Sequence, residues 1–150
     1  MRSGIPFGES YRNPVGFMAR STYGRGILER TASYDVDGEA GVPWKYQGGN
    51  TLILQEILLS VIDVPVGTWF AETVWQPLGA AEDAAWAVDD RGHERNYCCF
   101  YSRATEYARL GQLLLDTGRV DSVQLIDRTF MEELMTPVGA LPNGTDIQHY

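Results

Sequence analysis

The sequence predicts a mostly α-helical fold with long ordered loops and one short β-hairpin, in a single domain over residues 1–150. Apolar residues recur at helical spacing in several stretches of the second and third thirds of the chain. The first third is instead rich in Gly, Pro, Ser and Asn, which is typical of loops. A hydrophobic content of 44% over 150 residues is enough for one packed core.

The N-terminal loop region contains one segment of helical character, residues 15–23, with an extension toward Leu28. Loops this long inside a compact domain are often functional. The aromatic residues of this region predict that it packs against other parts of the chain: Phe7, Tyr11, Phe17, Tyr23, Tyr34, Trp44 and Tyr46.

An aromatic turn leads into the first strongly periodic helix. Pro43 fixes φ, and Gly48 and Gly49 allow backbone conformations that other residues cannot adopt. Asn50 is suited to cap the helix start with its side-chain oxygen. Tyr46 is thus expected just before a helix N-terminus, where the helix dipole favours negative charge.

Periodicity predicts helices over residues 51–62, 66–76, 105–116 and about 127–136. Capping or helix-breaking residues set their boundaries: Pro65, Pro77, Thr117-Gly118 and Pro137 at the ends, and Ser102 or Thr105 and Asp127 at two of the starts. Their apolar faces consist of Leu54, Ile57, Leu58 and Val61; Val66, Trp69, Phe70 and Val74; Tyr107, Leu110, Gly111 and Leu114; and Phe130, Met131, Leu134 and Met135.

Two short apolar runs, residues 85–88 and 97–101, predict the strands of a hairpin with a turn at residues 89–92. The second run contains the neighbouring Cys98 and Cys99. Adjacent cysteines rarely pair, so the sequence predicts two free thiols, which favours a reducing compartment. On a strand the two thiols would point to opposite faces and could not share one zinc ion.

Charge and hydropathy exclude several classes of function. A net charge of −8 and a pI near 4.6 argue against nucleic-acid binding. No run approaches the roughly 18 apolar residues of a membrane-spanning helix. Residues 1–8 lack the apolar core of a signal peptide, so a cytoplasmic location is favoured.

Motif searches exclude several kinds of site, and no metal or cofactor is expected. His93 is expected to be an exposed loop residue and the penultimate His149 to fray. Neither a phosphate-binding glycine loop nor a G-x-S-x-G elbow occurs. The sequon Asn143-Gly144-Thr145 is expected to form a turn.

The single lysine of the sequence, Lys45, decides whether a catalytic Ser-x-x-Lys dyad is present. Val42 stands where a Ser-x-x-Lys dyad would need its serine, so this sequence contains no such dyad. Lys45 is followed instead by Tyr46. A nearby cation and a helix N-terminus can lower the pKa of a phenol, which could then relay a proton. The residues alone leave a second interpretation open, in which Tyr46 only packs the turn.

Four segments, taken together, resemble a known family. They are Met1-Arg2-Ser3-Gly4-Ile5-Pro6-Phe7, Pro43-Trp44-Lys45-Tyr46-Gln47-Gly48-Gly49-Asn50-Thr51, Trp75-Gln76-Pro77-Leu78-Gly79, and Tyr107-Ala108-Arg109-Leu110-Gly111-Gln112-Leu113-Leu114-Leu115 followed by Gly118-Arg119. In order and spacing they are similar to the serine β-lactamase-like hydrolases. This family includes class C β-lactamases, related esterases and 6-aminohexanoate-dimer hydrolases.

The resemblance implies the helical middle region of that fold, from an enzyme that cleaves a small-molecule amide or ester through an acyl-serine. Tyr46 would correspond to the family's catalytic tyrosine, which helps to activate the serine and passes the proton to the leaving group. The family's Ser-x-x-Lys would lie upstream of residue 1, and its Lys-Thr-Gly or His-x-Gly strand after residue 150. Gly48 stands where the family usually has Asn or Ser.

These departures predict a fragment or derivative of a serine hydrolase that is inactive alone, because acyl transfer needs a nucleophile, a base and an oxyanion site together. The alternative is a helical binding module without catalysis. Such a module would form homo-oligomers through an apolar helix face left uncovered by the missing sheet.

Overall fold

A computed structural model of the chain describes residues 1–41, 44–137, 139–140 and 146–147. The predicted roles of Pro43, the turn at residues 143–145 and His149 lie outside these residues. Within the described part, no helix is both long enough and apolar enough to cross a membrane.

Short helices separated by loops make up most of the regular structure. The helices are α1 Phe17–Tyr23, α2 Ile27–Ala32, α3 Gly48–Leu59, α4 Val66–Phe70, α5 Ala104–Leu115 and α6 Arg128–Met135, and α4 continues as a π-helical turn, Ala71–Trp75. Antiparallel two-residue ladders join β1 Ala85–Trp86 to β2 Phe100–Tyr101, β3 Arg119–Val120 to β4 Val123–Gln124, and β5 Gly139–Ala140 to β6 Asp146–Ile147. The mostly helical class and the hairpin at residues 85–101 are confirmed. The other two ladders were not predicted from the sequence.

The chain divides into two compact units, Met1–Trp69 with Ala84–Tyr101, and Phe70–Asp83 with Ser102–Tyr150. In the first unit, the core is aromatic. The ring centroid of Phe7 lies 4.7 Å from that of Phe17 and 5.2 Å from that of Tyr34. The prediction that the N-terminal aromatics pack is therefore confirmed for these residues. It is wrong for Tyr11, Tyr23 and Tyr46, which are exposed.

A loop of the hairpin, rather than any neighbouring residue, holds the start of α2. The Ile27 amide donates to the Asp89 carboxylate at 2.9 Å, and the Gly26 amide donates to the Asp90 carboxylate at 3.1 Å. Burial by itself would raise the pKa of Asp89. The hydrogen bonds that its carboxylate accepts from backbone amides, including that of His93, have the larger effect and lower this pKa. The sequence did not predict α2 as a separate helix, because these acceptors come from a distant part of the chain.

Helix α3 begins earlier than predicted and buries a different face. It starts at Gly48, with Gln47 in the capping position, and Asn50 lies buried inside the helix instead of capping it. The two buried side chains below its first turn are Leu52 and Gln55. The predicted apolar face is largely in solvent: Leu54 is 64%, Ile57 57% and Val61 76% exposed.

In the second unit, α5 also turns its predicted face outward. Tyr107 and Leu114 are exposed, whereas Glu106 and Leu113 are buried. The helix begins after Arg103 without a side-chain cap, so neither Ser102 nor Thr105 has its predicted role. The Glu106 carboxylate instead accepts the Ala81 amide at 3.1 Å and pairs with Arg109 at 3.2 Å.

The ends of α5 and α6 agree better with the sequence. The Gly118 amide donates to the Leu113 carbonyl at 2.8 Å, with Gly118 at φ +80°, so glycine ends α5 as predicted. Asp127 caps α6, because its carboxylate accepts the Phe130 amide at 2.9 Å. On α6 Met131 is the buried apolar residue, and Phe130 is exposed.

Candidate functional site

The segment that contains Tyr46 is tied on both sides to the first residue of the chain. The Lys45 amide donates to the Met1 carbonyl at 3.0 Å, and the Gln47 amide contacts the Met1 sulfur at 3.4 Å. Between these attachments Tyr46 is 52% exposed. The backbone is therefore held on both sides of Tyr46, while its phenol stays accessible to solvent.

A carboxylate occupies the start of α3 next to this tyrosine. Glu9 Oε2 accepts the Gly48 amide at 2.8 Å, and Glu9 Oε1 accepts the Tyr11 hydroxyl at 3.0 Å. One of the free amides of the helix N-terminus is thus satisfied by a side chain from the N-terminal loop. Sequence reasoning missed Glu9, because no local pattern connects it to a helix that starts 39 residues later.

Two further phenols share the surroundings of Tyr46. Although the Tyr11 side chain as a whole is exposed, partial desolvation of its hydroxyl raises its pKa to about 12, together with its hydrogen bond to Glu9, the charge of that carboxylate, and the neighbouring Tyr46 and Tyr97 phenols. The Tyr97 hydroxyl lies 3.0 Å from the Thr22 hydroxyl. The structure therefore brings together three tyrosines of which the sequence singled out one.

The structure gives a steric reason for glycine at position 48. A Cβ placed on Gly48 would lie 3.3 Å from Cδ2 of Tyr97 and 3.4 Å from the terminal methyl carbon of Met18. A side chain at this position would require Tyr97 or Met18 to shift by a few tenths of an ångström. Glycine thus allows Tyr97 to lie close to the start of α3.

Lys45 contributes to a different feature from Tyr46. It lines a cavity of about 160 Å³ together with Met1, Ser3, Asp37 and Gln47. Tyr46 does not line this cavity. The predicted influence of the Lys45 cation on the Tyr46 phenol stays a prediction.

His93 is less exposed than predicted. It is half-buried, and its Nδ1 lies 3.7 Å from Oδ2 of Asp89. The described residues contain no group of three or more His, Cys, Asp or Glu side chains that could hold a metal ion.

The prediction of two free thiols is wrong. Cys98 and Cys99 are joined by a disulfide. They do not lie on a strand, because β2 begins only at Phe100 and Cys99 has a left-handed φ of +65°. This turn brings the two sulfur atoms to the same side, whereas an extended backbone would have pointed them apart.

The comparisons with known proteins concern the fold. No protein-family model and no curated protein matches the chain. Solved structures do match, among them a Bacillus anthracis protein named as a 6-aminohexanoate-dimer hydrolase, with a TM-score of 0.71 and 22% identity. The match covers 96% of this chain and 36% of that chain. The chain therefore has the fold of about a third of that protein, which agrees with the expected helical region of a larger hydrolase fold.

Proposed function

We propose that this chain supplies the helical region of a serine hydrolase of the β-lactamase-like class, with Tyr46 as its acid/base residue. The observation that carries this proposal is the fold match, which extends over 96% of the chain. The ordered motifs of the sequence support the same class independently of the match. The substrate would be a small-molecule amide or ester.

In this proposal Tyr46 starts as a phenolate, and its oxygen takes the proton of a serine hydroxyl as that serine attacks the substrate carbonyl carbon. The same phenol then gives the proton to the departing amine or alcohol. Half-exposure of Tyr46 and the fixed backbone on both sides of it are compatible with this role. The serine would belong to a part of the enzyme that this sequence does not contain.

A segment exchange tests the role of Tyr46. The matching segment of the Bacillus anthracis protein is replaced by this chain, and hydrolysis of a p-nitrophenyl ester is measured on chimeras that keep a cooperative thermal transition. We expect Tyr46→Phe to lower kcat by about 10²- to 10⁴-fold, the usual contribution of a general acid/base. Tyr11→Phe is the matched control and should change kcat less than tenfold. A folded, active chimera that tolerates Tyr46→Phe would refute the assignment.

A second assay tests whether the chain is inactive alone. The purified chain is incubated with nitrocefin and with a p-nitrophenyl ester, and we expect no turnover above the buffer rate, because its sequence contains no Ser-x-x-Lys dyad. Turnover that disappears with Tyr46→Phe would contradict this expectation.

A second candidate function, self-association, rests on the bare face of α3. Leu54 and Ile57 on α3 and Val61 in the turn after it are exposed apolar side chains, and contact between two copies would remove them from water. The partner in this proposal is a second copy of the chain.

Sedimentation velocity over a range of concentrations tests this candidate. We expect a dimer that becomes a monomer when Leu54 and Ile57 are both replaced by Gln. Val15→Gln, which removes another exposed apolar side chain, should leave the dimer intact. A wild-type chain that stays monomeric throughout would exclude self-association.

A further inference from the structure

We propose that the Cys98–Cys99 disulfide is a site of reversible thiol–disulfide exchange that accepts dithiol reductants and controls the loop carrying Tyr97. This inference does not depend on the hydrolase proposal. It rests on the bond itself, on the backbone of Cys99 and on the hydrogen bonds around the pair.

The disulfide does little to stabilise the fold. A disulfide acts mainly by closing a loop and so restricting the unfolded chain, and its effect grows with the length of that loop. Cys98 and Cys99 are adjacent in sequence, so the loop is as short as it can be. Fold stabilisation therefore does not explain the bond.

Access and backbone conformation favour exchange. Both cysteines are half-buried, so neither residue is fully closed off from solvent. Cys99 has a φ of +65°, a region that side-chain-bearing residues rarely occupy without being held there. The disulfide links Cys99 to its neighbour, and opening this link lets Cys99 return to an ordinary extended conformation.

Such a change would alter specific contacts. The Cys98 carbonyl accepts the indole N–H of Trp86 at 2.9 Å, and the Cys99 carbonyl accepts the Ala87 amide at 2.9 Å. Rotation of the backbone at Cys99 redirects these carbonyls away from their donors. On the other side of the pair, Tyr97 contacts Thr22 and the start of α3.

The exchange balances with a dithiol as the reductant. One thiolate of the reductant attacks a cysteine sulfur, the S–S bond breaks, and a mixed disulfide forms while the other cysteine leaves as a thiolate. The second thiol of the reductant then attacks the mixed disulfide and becomes oxidised. Cys98 and Cys99 gain two electrons and two protons, and the reductant loses them.

Mass spectrometry tests whether the pair closes reversibly. The chain is fully reduced with dithiothreitol, freed of it, and incubated with oxidised glutathione, and an aliquot is then denatured and treated with iodoacetamide. We expect a chain two hydrogens lighter than the reduced form, without glutathione or alkyl groups, and two alkyl groups after a further reduction. Persistent glutathione adducts, alkylation without reduction or disulfide-linked dimers would each overturn the proposal.

Fluorescence tests whether the bond controls its surroundings. We expect reduction of the folded chain to raise indole emission and shift its wavelength, because Trp86 loses its hydrogen bond and its disulfide neighbour. Trp86→Phe should abolish most of this response. The variant keeps an aromatic ring beside Phe100, whose ring centroid lies 4.8 Å from that of Trp86 in the structure. The double variant Cys98→Ser with Cys99→Ser should show no response. Equal emission from the oxidised and reduced chain, or a full response in Trp86→Phe, would refute the coupling.

Discussion

Helices α3 and α5 each contain 12 residues, yet they are held in opposite ways. Helix α3 is held at its first turn by close packing against glycines, and much of its apolar surface stays in solvent. Helix α5 is held at its first turn by a buried carboxylate, and its glycine, Gly111, faces open space. The difference shows that burial in this chain follows what lies against each helix, and that apolar periodicity alone does not predict it.

Gly49→Ala should have the largest effect on the stability of the chain. A Cβ on Gly49 would lie 2.3 Å from Cγ of the buried Phe7 ring. We expect a loss of about 3 kcal/mol in the free energy of unfolding, the upper part of the range for an overpacked core. Urea denaturation measures it.

Gly111→Ala is the matched control for Gly49→Ala. No atom lies within 4 Å of a Cβ placed on Gly111, so the substitution should stabilise the chain by about 0.5–1 kcal/mol through helix propensity. Two alanine variants with effects of the same sign would contradict the proposed packing difference.

Glu106→Ala should be the next largest effect. It leaves the Ala81 amide without the carboxylate acceptor at 3.1 Å and opens space in the second unit. We expect a loss of about 2 kcal/mol in the free energy of unfolding, within the range for an unsatisfied buried donor. Glu132→Ala removes an exposed carboxylate of α6 and should cost less than about 0.5 kcal/mol. Equal effects of the two substitutions would show that Glu106 does not hold the start of α5.

Glu9→Gln tests the role of the carboxylate at the start of α3. The amide oxygen can still accept the Gly48 N–H, but the charge beside Tyr11 disappears. Since that charge and its hydrogen bond contribute to the raised pKa of about 12, we expect the pKa of Tyr11 to fall toward its ordinary value of 10.

The pH dependence of phenolate absorbance is measured in Glu9→Gln and in the double variant Glu9→Gln with Tyr11→Phe. The difference between the two titrations gives the pKa of Tyr11. Because the folded pKa is raised, the stability from Tyr11 is fully present below pH 10 and is lost as pH rises through about 12. An unchanged Tyr11 titration in Glu9→Gln would show that Glu9 does not set it.

Leu54→Gln should have the smallest effect on stability. The Leu54 side chain is 64% exposed, so we expect a change within about 0.5 kcal/mol, as for ordinary surface substitutions. Leu113→Gln on α5 is the counterpart, because Leu113 is buried, and it should destabilise clearly. A large loss from Leu54→Gln in a monomeric chain would mean that this exposed side chain is in fact packed.

The sequence predicted best where structure depends on neighbours in the chain. Asp127 caps α6 because its carboxylate needs only the amide three residues later, and Gly118 ends α5 because glycine readily adopts a positive φ. The sequence also predicted that Tyr46 precedes a helix start, and α3 begins at Gly48. It did not identify Glu9, Tyr11 or Tyr97, whose meeting beside that stretch depends on contacts between distant segments.

By itself the sequence determined the helical class, the hairpin at residues 85–101 and a tyrosine placed before a helix start, because backbone dihedral preferences and hydrophobic spacing act locally. Only the tertiary structure decided which face of α3 is buried, which carboxylate occupies its first amide, and that Cys98 and Cys99 are joined. Each of these depends on which distant atoms come within a few ångströms. Helix α3 begins at Gly48 because Phe7 and Tyr97 pack closely against its glycines and Glu9 binds its first amide.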